Sequence, residues 1–200
     1  RRLGEKYGVS WLPETGAKYQ LQFSIMNDRV QLYLDTSGPG LHKRGYRAAG
    51  VAAPLRETLA AAMVQLAHYN GRDPLCDPFC GSGTIAIEAA MILSGRAPGL
   101  GREFASQSFP RIKAELWKSA ADEAAAKIKT DCHFEVWASD IDEDILDITY
   151  ENSVRGGVEE DMNIFHADAL ELKKPEGRRG TIVCNPPYGE RLGDIESAEK

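Results

Sequence analysis

Two short segments hold residue types whose combination could do chemistry: Asp77-Pro78-Phe79-Cys80-Gly81-Ser82-Gly83-Thr84 and Asn185-Pro186-Pro187-Tyr188. In the second, two successive prolines fix the backbone and remove two N–H donors, so the local carbonyls are free to face a ligand instead of joining a ladder. The side-chain oxygen of Asn185 and the carbonyl of Pro186 can both accept from one NH2 group. Holding both hydrogens turns the nitrogen lone pair toward an electrophile. It also stabilises the positive charge that develops on nitrogen, which is electrostatic stabilisation aimed at a transition state. An exocyclic amine on a nucleobase needs that help, because its lone pair is delocalised into the ring. Tyr188 offers a face on which such a base can stack. Asn185, Pro186, Pro187 and Tyr188 are therefore the candidate catalytic residues, and this chemistry needs neither a metal nor a covalent nucleophile. The competing reading is a rigid Pro-Pro turn after a strand.

In the first segment, Gly81 and Gly83 let the chain turn tightly and let a ligand approach without a Cβ in the way. A helix that starts there offers unpaired N–H groups and a partial positive charge. With Ala86 the segment also satisfies the dinucleotide pattern G-x-G-x-x-A. Two details lean away from a dinucleotide. Asp77 stands just before the loop, where a pyrophosphate would be repelled and a sulfonium or ammonium welcomed. The next strand-end acid, Asp140, comes more than fifty residues after Gly83, not about twenty as in a nicotinamide fold.

Asp140 can accept two charge-assisted hydrogen bonds from ribose hydroxyls, or it can cap the following helix, a role for which Asp142 is the rival. Asp168, in His166-Ala167-Asp168-Ala169, can accept from an adenine amino group or mark a surface turn. The candidate cofactor set is Asp77, Phe79, Gly81, Gly83, Thr84, Asp140, Ile141, Asp168, Ala169 and Asn185, and the expected cofactor is S-adenosylmethionine, which carries a sulfonium and an ammonium beside a ribose and an adenine.

These residues need a scaffold, and the pattern of the chain supplies one. Residues 19–25 alternate apolar and polar, residues 30–34 do so more loosely, and Asn27-Asp28 lies between them. This predicts an antiparallel hairpin with one buried face. Ser37-Gly38-Pro39-Gly40 then breaks the chain. Pro54 opens a helix on which Leu55, Leu59, Met63 and Leu66 recur at helical spacing, and Asn70-Gly71 stops it. Beyond this, strands alternate with helices. Strands are expected at 75–77, 134–139, 164–165 and 181–184, and helices at 84–93, 111–129 and 142–155, the last capped by Asp142 and halted by Gly156-Gly157. Such alternation means a parallel sheet with right-handed crossovers, whose ligands bind beyond the C-terminal strand ends. Asp77, Asp140, Asp168 and Asn185 each follow a strand. With four strands counted and no initiating Met, the chain is expected to be a piece of a longer protein, incomplete at its C-terminus. Residues 95–111, with Arg96, Arg102 and Phe104, read only as a surface insertion.

Composition bounds the alternatives. The chain is 42% hydrophobic and 27% charged, ordinary for a globular protein, and no apolar run approaches the length of a membrane span. No apolar stretch follows Arg1-Arg2, so no signal peptide is read there. Cys76, Cys80, Cys132 and Cys184 lack zinc-ligand spacing and read as reduced thiols of an intracellular enzyme. The net charge of −6 is uneven, with nine Lys/Arg against four Asp/Glu in residues 1–56. A basic front suits a polyanion that contacts one end only.

In combination, Asp77 to Thr84, Ser139-Asp140-Ile141-Asp142 and Asn185-Pro186-Pro187-Tyr188-Gly189-Glu190-Arg191-Leu192 resemble the THUMP-linked family of RNA guanine-N2 methyltransferases, most of all those that modify 23S ribosomal RNA. Asp35-Thr36-Ser37-Gly38, Leu41-His42-Lys43-Arg44-Gly45-Tyr46-Arg47 and Pro54-Leu55-Arg56-Glu57-Thr58 agree with it. The resemblance implies a Rossmann-like α/β methyltransferase domain over residues 51–200, truncated late in the sheet, after a segment 1–50 whose hairpin is similar to the end of a THUMP domain. It implies that Asp77 meets the methionine end of the cofactor, Asp140 the ribose and Asp168 the adenine. The expected partner is RNA, ribosomal RNA above all, with Lys43, Arg44, Arg47 and Tyr188 as candidate contacts and the cytoplasm as the place of action. A solvated basic linker is the bland reading of Lys43, Arg44 and Arg47. Adenine N6 in DNA fits the same two acceptors, and a nicotinamide-dependent oxidoreductase or a non-catalytic RNA-binding module are the alternatives of other classes.

Overall fold

The computed structural model describes residues 2–11, 14–47, 55–131, 133–173 and 179–187. In chain order the elements are α1 (Arg2–Tyr7), β1 (Gln20–Met26), β2 (Arg29–Asp35), α2 (Glu57–Leu66), β3 (Leu75–Asp77), α3 (Thr84–Leu93), α4 (Ala114–Ala126), β4 (Val136–Asp140), α5 (Glu143–Gly156), β5 (Met162–His166) and β6 (Thr181–Ile182). The chain divides into two compact units. One comprises residues 1–39 with 104–117, the other residues 40–103 with 118–200. The family-like expectation of a division after residue 50 thus stands beside a contact boundary at Pro39/Gly40.

In the first unit, β1 and β2 form the expected antiparallel pair, with Leu21 opposite Leu34, Phe23 opposite Leu32 and Ile25 opposite Val30. Asn27 and Asp28 both adopt positive φ, 50° and 57°, as a two-residue turn with the twist of the flanking strands requires. The expectation of a buried face is corrected. Leu21, Phe23, Ile25, Val30, Leu32 and Leu34 form one apolar ladder, and all six are exposed, from 46 to 77%. Alternation specifies which side chains share a face, and among the described residues no second layer covers that face of the ribbon. Residues 104–109 join this unit through the Ser106 amide and hydroxyl, both donated to the Thr36 carbonyl at 3.1 and 2.8 Å, and Phe109 stacks on Tyr19 at 4.4 Å.

The second unit is built on a fully parallel sheet of order β5-β4-β3-β6. Its core contains Leu75, Val136, Ala138 and Val64 together with Ile85, Ile87, Ala89 and Ala90 of α3. The α2 face that packs inward is Ala60, Ala61 and Val64, with Glu57. Leu59 and Leu66 of the helically spaced set are exposed, at 53 and 77%. Alanines let α2 and α3 approach closely, so the small residues and not the large ones mark the interface. Asp142 caps α5 by accepting from the Asp144 amide at 3.0 Å, and Gly157 ends it in the left-handed conformation.

Residues 95–103, without a role in the sequence reading, fold back on the segment that precedes α2. Arg102 donates to the Gly40 carbonyl at 2.9 Å. A Cβ on Gly45 would lie 1.9 Å from the Gly101 oxygen, so only two glycines allow these backbones to meet.

Candidate functional site

Because all three strand pairings are parallel, the C-terminal strand ends lie along one edge. Their order is Asp168 after β5, Asp140 at the end of β4, Asp77 at the end of β3 and Asn185 after β6. Strands lie about 4.8 Å apart, so the edge from the first to the last is about 14 Å long.

The glycine loop sits over the middle of this edge and is held by side chains distant in sequence. Gly81 donates its amide to Asp140 Oδ2 at 2.9 Å, and Asp142 donates to Asp140 Oδ1 at 3.2 Å. An ionised carboxylate has about four lone-pair sites, so two remain for hydroxyl donors. Asp140 is thus not the helix cap, and it fits a ribose diol. From α5, the Thr149 hydroxyl donates to the Gly81 carbonyl at 2.5 Å and the Asn152 amide to the Ser82 carbonyl at 3.0 Å. Both side chains are fully buried. Neither was singled out from the sequence, where they lie some seventy residues beyond the loop. Gly83 is left-handed at φ 80°, and a Cβ there would meet Thr149 Cγ2 at 2.7 Å.

Asp77 is buried to 1% exposure, with one oxygen accepting from the Phe79 amide at 3.3 Å. Burial raises its carboxyl to about 7; the Phe79 hydrogen bond opposes the rise and the Asp140 charge adds to it. Among the described residues Asp77 has no basic partner; a desolvated carboxylate of this kind is stabilised by a cationic ligand, and the ammonium and sulfonium of S-adenosylmethionine match that need. The pattern around Asp77 therefore fits the cofactor, with Gly81, Gly83 and Thr84 in the loop above it. Phe79 is half-buried beside it.

At the other end, Ile141 is 66% exposed just past Asp140, an apolar surface suited to an adenine ring. His166 donates Nε2–H to the Ile141 carbonyl at 3.0 Å and so fixes this corner. Asp168 accepts the Leu170 amide on Oδ1 at 2.8 Å, which makes a turn of the kind its sequence allows. Ala169 is half-buried next to it. Asn185 is half-buried while Pro186 and Pro187 are exposed. Tyr188 lies outside the described residues.

The basic segment is only partly what its sequence indicates. Arg44 pairs with Glu88 at 3.3 Å, with side-chain exposures of 12 and 3%. Burial raises the Glu88 carboxyl and Arg44 pulls it back. Arg47 faces Glu57 at 3.5 Å and donates to the Leu55 carbonyl and the Thr84 hydroxyl, each at 2.8 Å. Both guanidiniums have partners inside the chain and are half-buried, so this segment is not simply a solvated linker. Lys43 is exposed. Burial raises the Cys76 thiol to about 11 and the Cys80 thiol to about 12, so neither is a thiolate at neutral pH. Among the described residues no helix is long and apolar enough to cross a membrane, and no group of three or more His, Cys, Asp or Glu is placed to hold a metal.

A parallel sheet with a glycine loop after its first strand and acids at the next two strand tips defines a Rossmann-like domain of the methyltransferase class. The chain belongs to the UPF0020 family (RMKL-like, methyltransferase domain), whose model matches residues 44–200. It is 43% identical over 197 residues to "Putative RNA methyltransferase YpsC" of Bacillus subtilis, covering 95% of this chain and 49% of that protein. It is 40% identical over 184 residues to "Ribosomal RNA large subunit methyltransferase K/L" of Vibrio cholerae, covering 88 and 26%. Among solved structures, a predicted N6-adenine-specific DNA methylase from Listeria monocytogenes superposes with a TM-score of 0.90 at 42% identity, covering 98% of this chain and 52% of that one. SMU.472, "a putative methyltransferase complexed with SAH", superposes with a TM-score of 0.88 at 33% identity, covering 99 and 52%. The chain therefore spans about half or less of the length of these relatives.

Proposed function

We propose that this chain carries the catalytic site of an S-adenosylmethionine-dependent RNA methyltransferase that methylates the exocyclic N2 amine of guanine, in 23S ribosomal RNA. The observation that carries the reading is the order along the sheet edge: Asp168, Asp140, Asp77, Asn185. Acceptors suited to adenine, ribose and an amino-acid cation come first, and the amine-holding Asn185 stands next to the last of them.

When bound, the cofactor supplies an electrophilic methyl group on a sulfonium. Asp77 holds cationic charge, Asp140 the ribose hydroxyls and Asp168 the adenine amine. Asn185 and the Pro186 carbonyl hold the two hydrogens of the acceptor NH2 and aim its lone pair, while Tyr188 stacks on the base. Alignment of the two reactants accounts for roughly 7–11 kcal/mol in well-oriented systems. Lys43 serves as a phosphate contact, which positions RNA without reading its sequence. The hairpin belongs to a THUMP-like RNA-binding segment, and a ribosomal substrate puts the enzyme in the cytoplasm. The relatives named for RNA and ribosomal RNA methylation support the RNA substrate.

The relative described as an adenine-specific DNA methylase supports the second reading, N6 of adenine in DNA. Incubating the protein with labelled S-adenosylmethionine and either unmodified ribosomal RNA or DNA, followed by mass spectrometry of the nucleosides, tests both. N2-methylguanosine from RNA is expected. N6-methyladenine from DNA alone would replace the substrate while keeping the chemistry.

A further inference from the structure

We infer that Arg47 is a positioning residue for the amino-acid end of the cofactor, acting through the Thr84 hydroxyl; this rests on the reading that the loop Gly81–Thr84 holds S-adenosylmethionine. Arg47 Nη2 donates to Thr84 Oγ1 at 2.8 Å and to the Leu55 carbonyl at 2.8 Å, while its Nε faces Glu57 Oε1 at 3.5 Å. One guanidinium thus ties the segment before α2, the start of α2 and the first residue of α3 together. Asp140, Thr149 and Asn152 hold the loop from β4 and α5; Arg47 holds its end from the α2 side.

The chemistry of the contact sets its direction. A guanidinium only donates, so Thr84 Oγ1 must accept from Arg47. The single hydroxyl hydrogen of Thr84 is then directed elsewhere. The neighbouring Ser82 Oγ, at 3.4 Å, is a distant partner for it. An anion at the start of α3 would be a better one, because the first-turn N–H groups and the helix dipole favour negative charge there. The carboxylate of the cofactor's methionine portion is an anion of that kind, and Asp77 nearby suits the matching ammonium. The Arg47–Glu57 pair is not explained by stability alone. Among the described residues Arg47 Nε and Glu57 Oε2 are buried without a hydrogen-bond partner, and a buried ion pair is weak evidence for stabilisation.

The test compares two ligands by calorimetry: S-adenosylhomocysteine, which carries the amino-acid portion, and methylthioadenosine, which lacks it. Arg47→Gln is expected to weaken the first by about tenfold, the scale of one hydrogen bond to a charged group, and to leave the second unchanged. Arg47→Lys should recover part of the loss, and Thr84→Val should remove the effect of Arg47→Gln. Glu88→Gln loosens the Arg44 anchor of the same segment without touching the loop, and should lower Tm with equal effect on both ligands. Equal weakening of both ligands by Arg47→Gln, or additive losses in the Arg47→Gln/Thr84→Val pair, would overturn the inference. Failure of S-adenosylhomocysteine to bind the unaltered protein would instead overturn the cofactor reading on which it rests.

Discussion

Asp140 Oδ2 accepts the Gly81 amide at 2.9 Å and so ties the tip of β4 to the loop that follows β3. One carboxylate shapes the glycine loop and is proposed to hold the ribose as well. Asp140→Ala removes both roles. Charge-assisted hydrogen bonds contribute roughly 1.5–3 kcal/mol, so affinity for S-adenosylmethionine is expected to fall by about ten- to a hundredfold in a titration. Unchanged affinity would reduce Asp140 to a turn residue.

Asp77 predicts a pH dependence. With its carboxyl raised by burial to about 7, the group is protonated in the folded chain over a range where the unfolded chain has already lost that proton. Its ionisation therefore opposes folding as pH rises from about 4 toward 7, and this loss is complete above about 7. A cationic ligand favours the ionised form. Affinity for S-adenosylmethionine should therefore climb between pH 5.5 and about 7 and then level off. In Asp77→Asn the affinity should be weak and flat over that range, as titrations at several pH values would read directly. A climb that persists in the variant would assign the proton to another group.

Gly83 and Thr149 form a steric pair. Gly83→Ala places a methyl against Thr149 Cγ2, at a φ of 80° that disfavours any side chain. A loss of about 1–3 kcal/mol in urea unfolding is expected. Thr149→Ser keeps the hydroxyl that holds the Gly81 carbonyl and removes the clashing methyl. Added to Gly83→Ala, it should return the steric part of the loss and leave the backbone part. Strict additivity of the two substitutions would show that they do not meet.

Asn185→Ala addresses the transition state. Turnover should fall by at least about a hundredfold, the usual scale for one such contact, with cofactor affinity nearly unchanged. Single-turnover kinetics beside a binding titration separates the two. Full activity in the variant would remove Asn185 from the mechanism.

What the sequence made legible is local. Leu75–Asp77 and Thr84–Leu93 were readable to the residue, because a short apolar run, two glycines and a helical stretch follow one another without ambiguity. The cap at Asp142 was readable for the same reason. The inner face of α2 was not, because Ala60 and Ala61 add little to an apolar pattern and Leu59 and Leu66 dominate it. Thr149 and Asn152 lay hidden because ordinary polar residues on a helix do not announce that they face a loop some seventy residues away. The partners of Arg44 and Arg47 lay hidden for a related reason. A basic cluster reads as a surface until Glu57 and Glu88, the only charged residues of α2 and α3, are seen to be buried against it.

The ribbon of β1 and β2 has a material consequence. Its apolar ladder of Leu21, Phe23, Ile25, Val30, Leu32 and Leu34 is exposed, and neither outer strand edge is paired among the described residues. Such a surface is a template on which another strand can grow. A charged residue in place of Phe23 or Leu32 is expected to make the ribbon a poorer template for another strand, which light scattering against protein concentration would read.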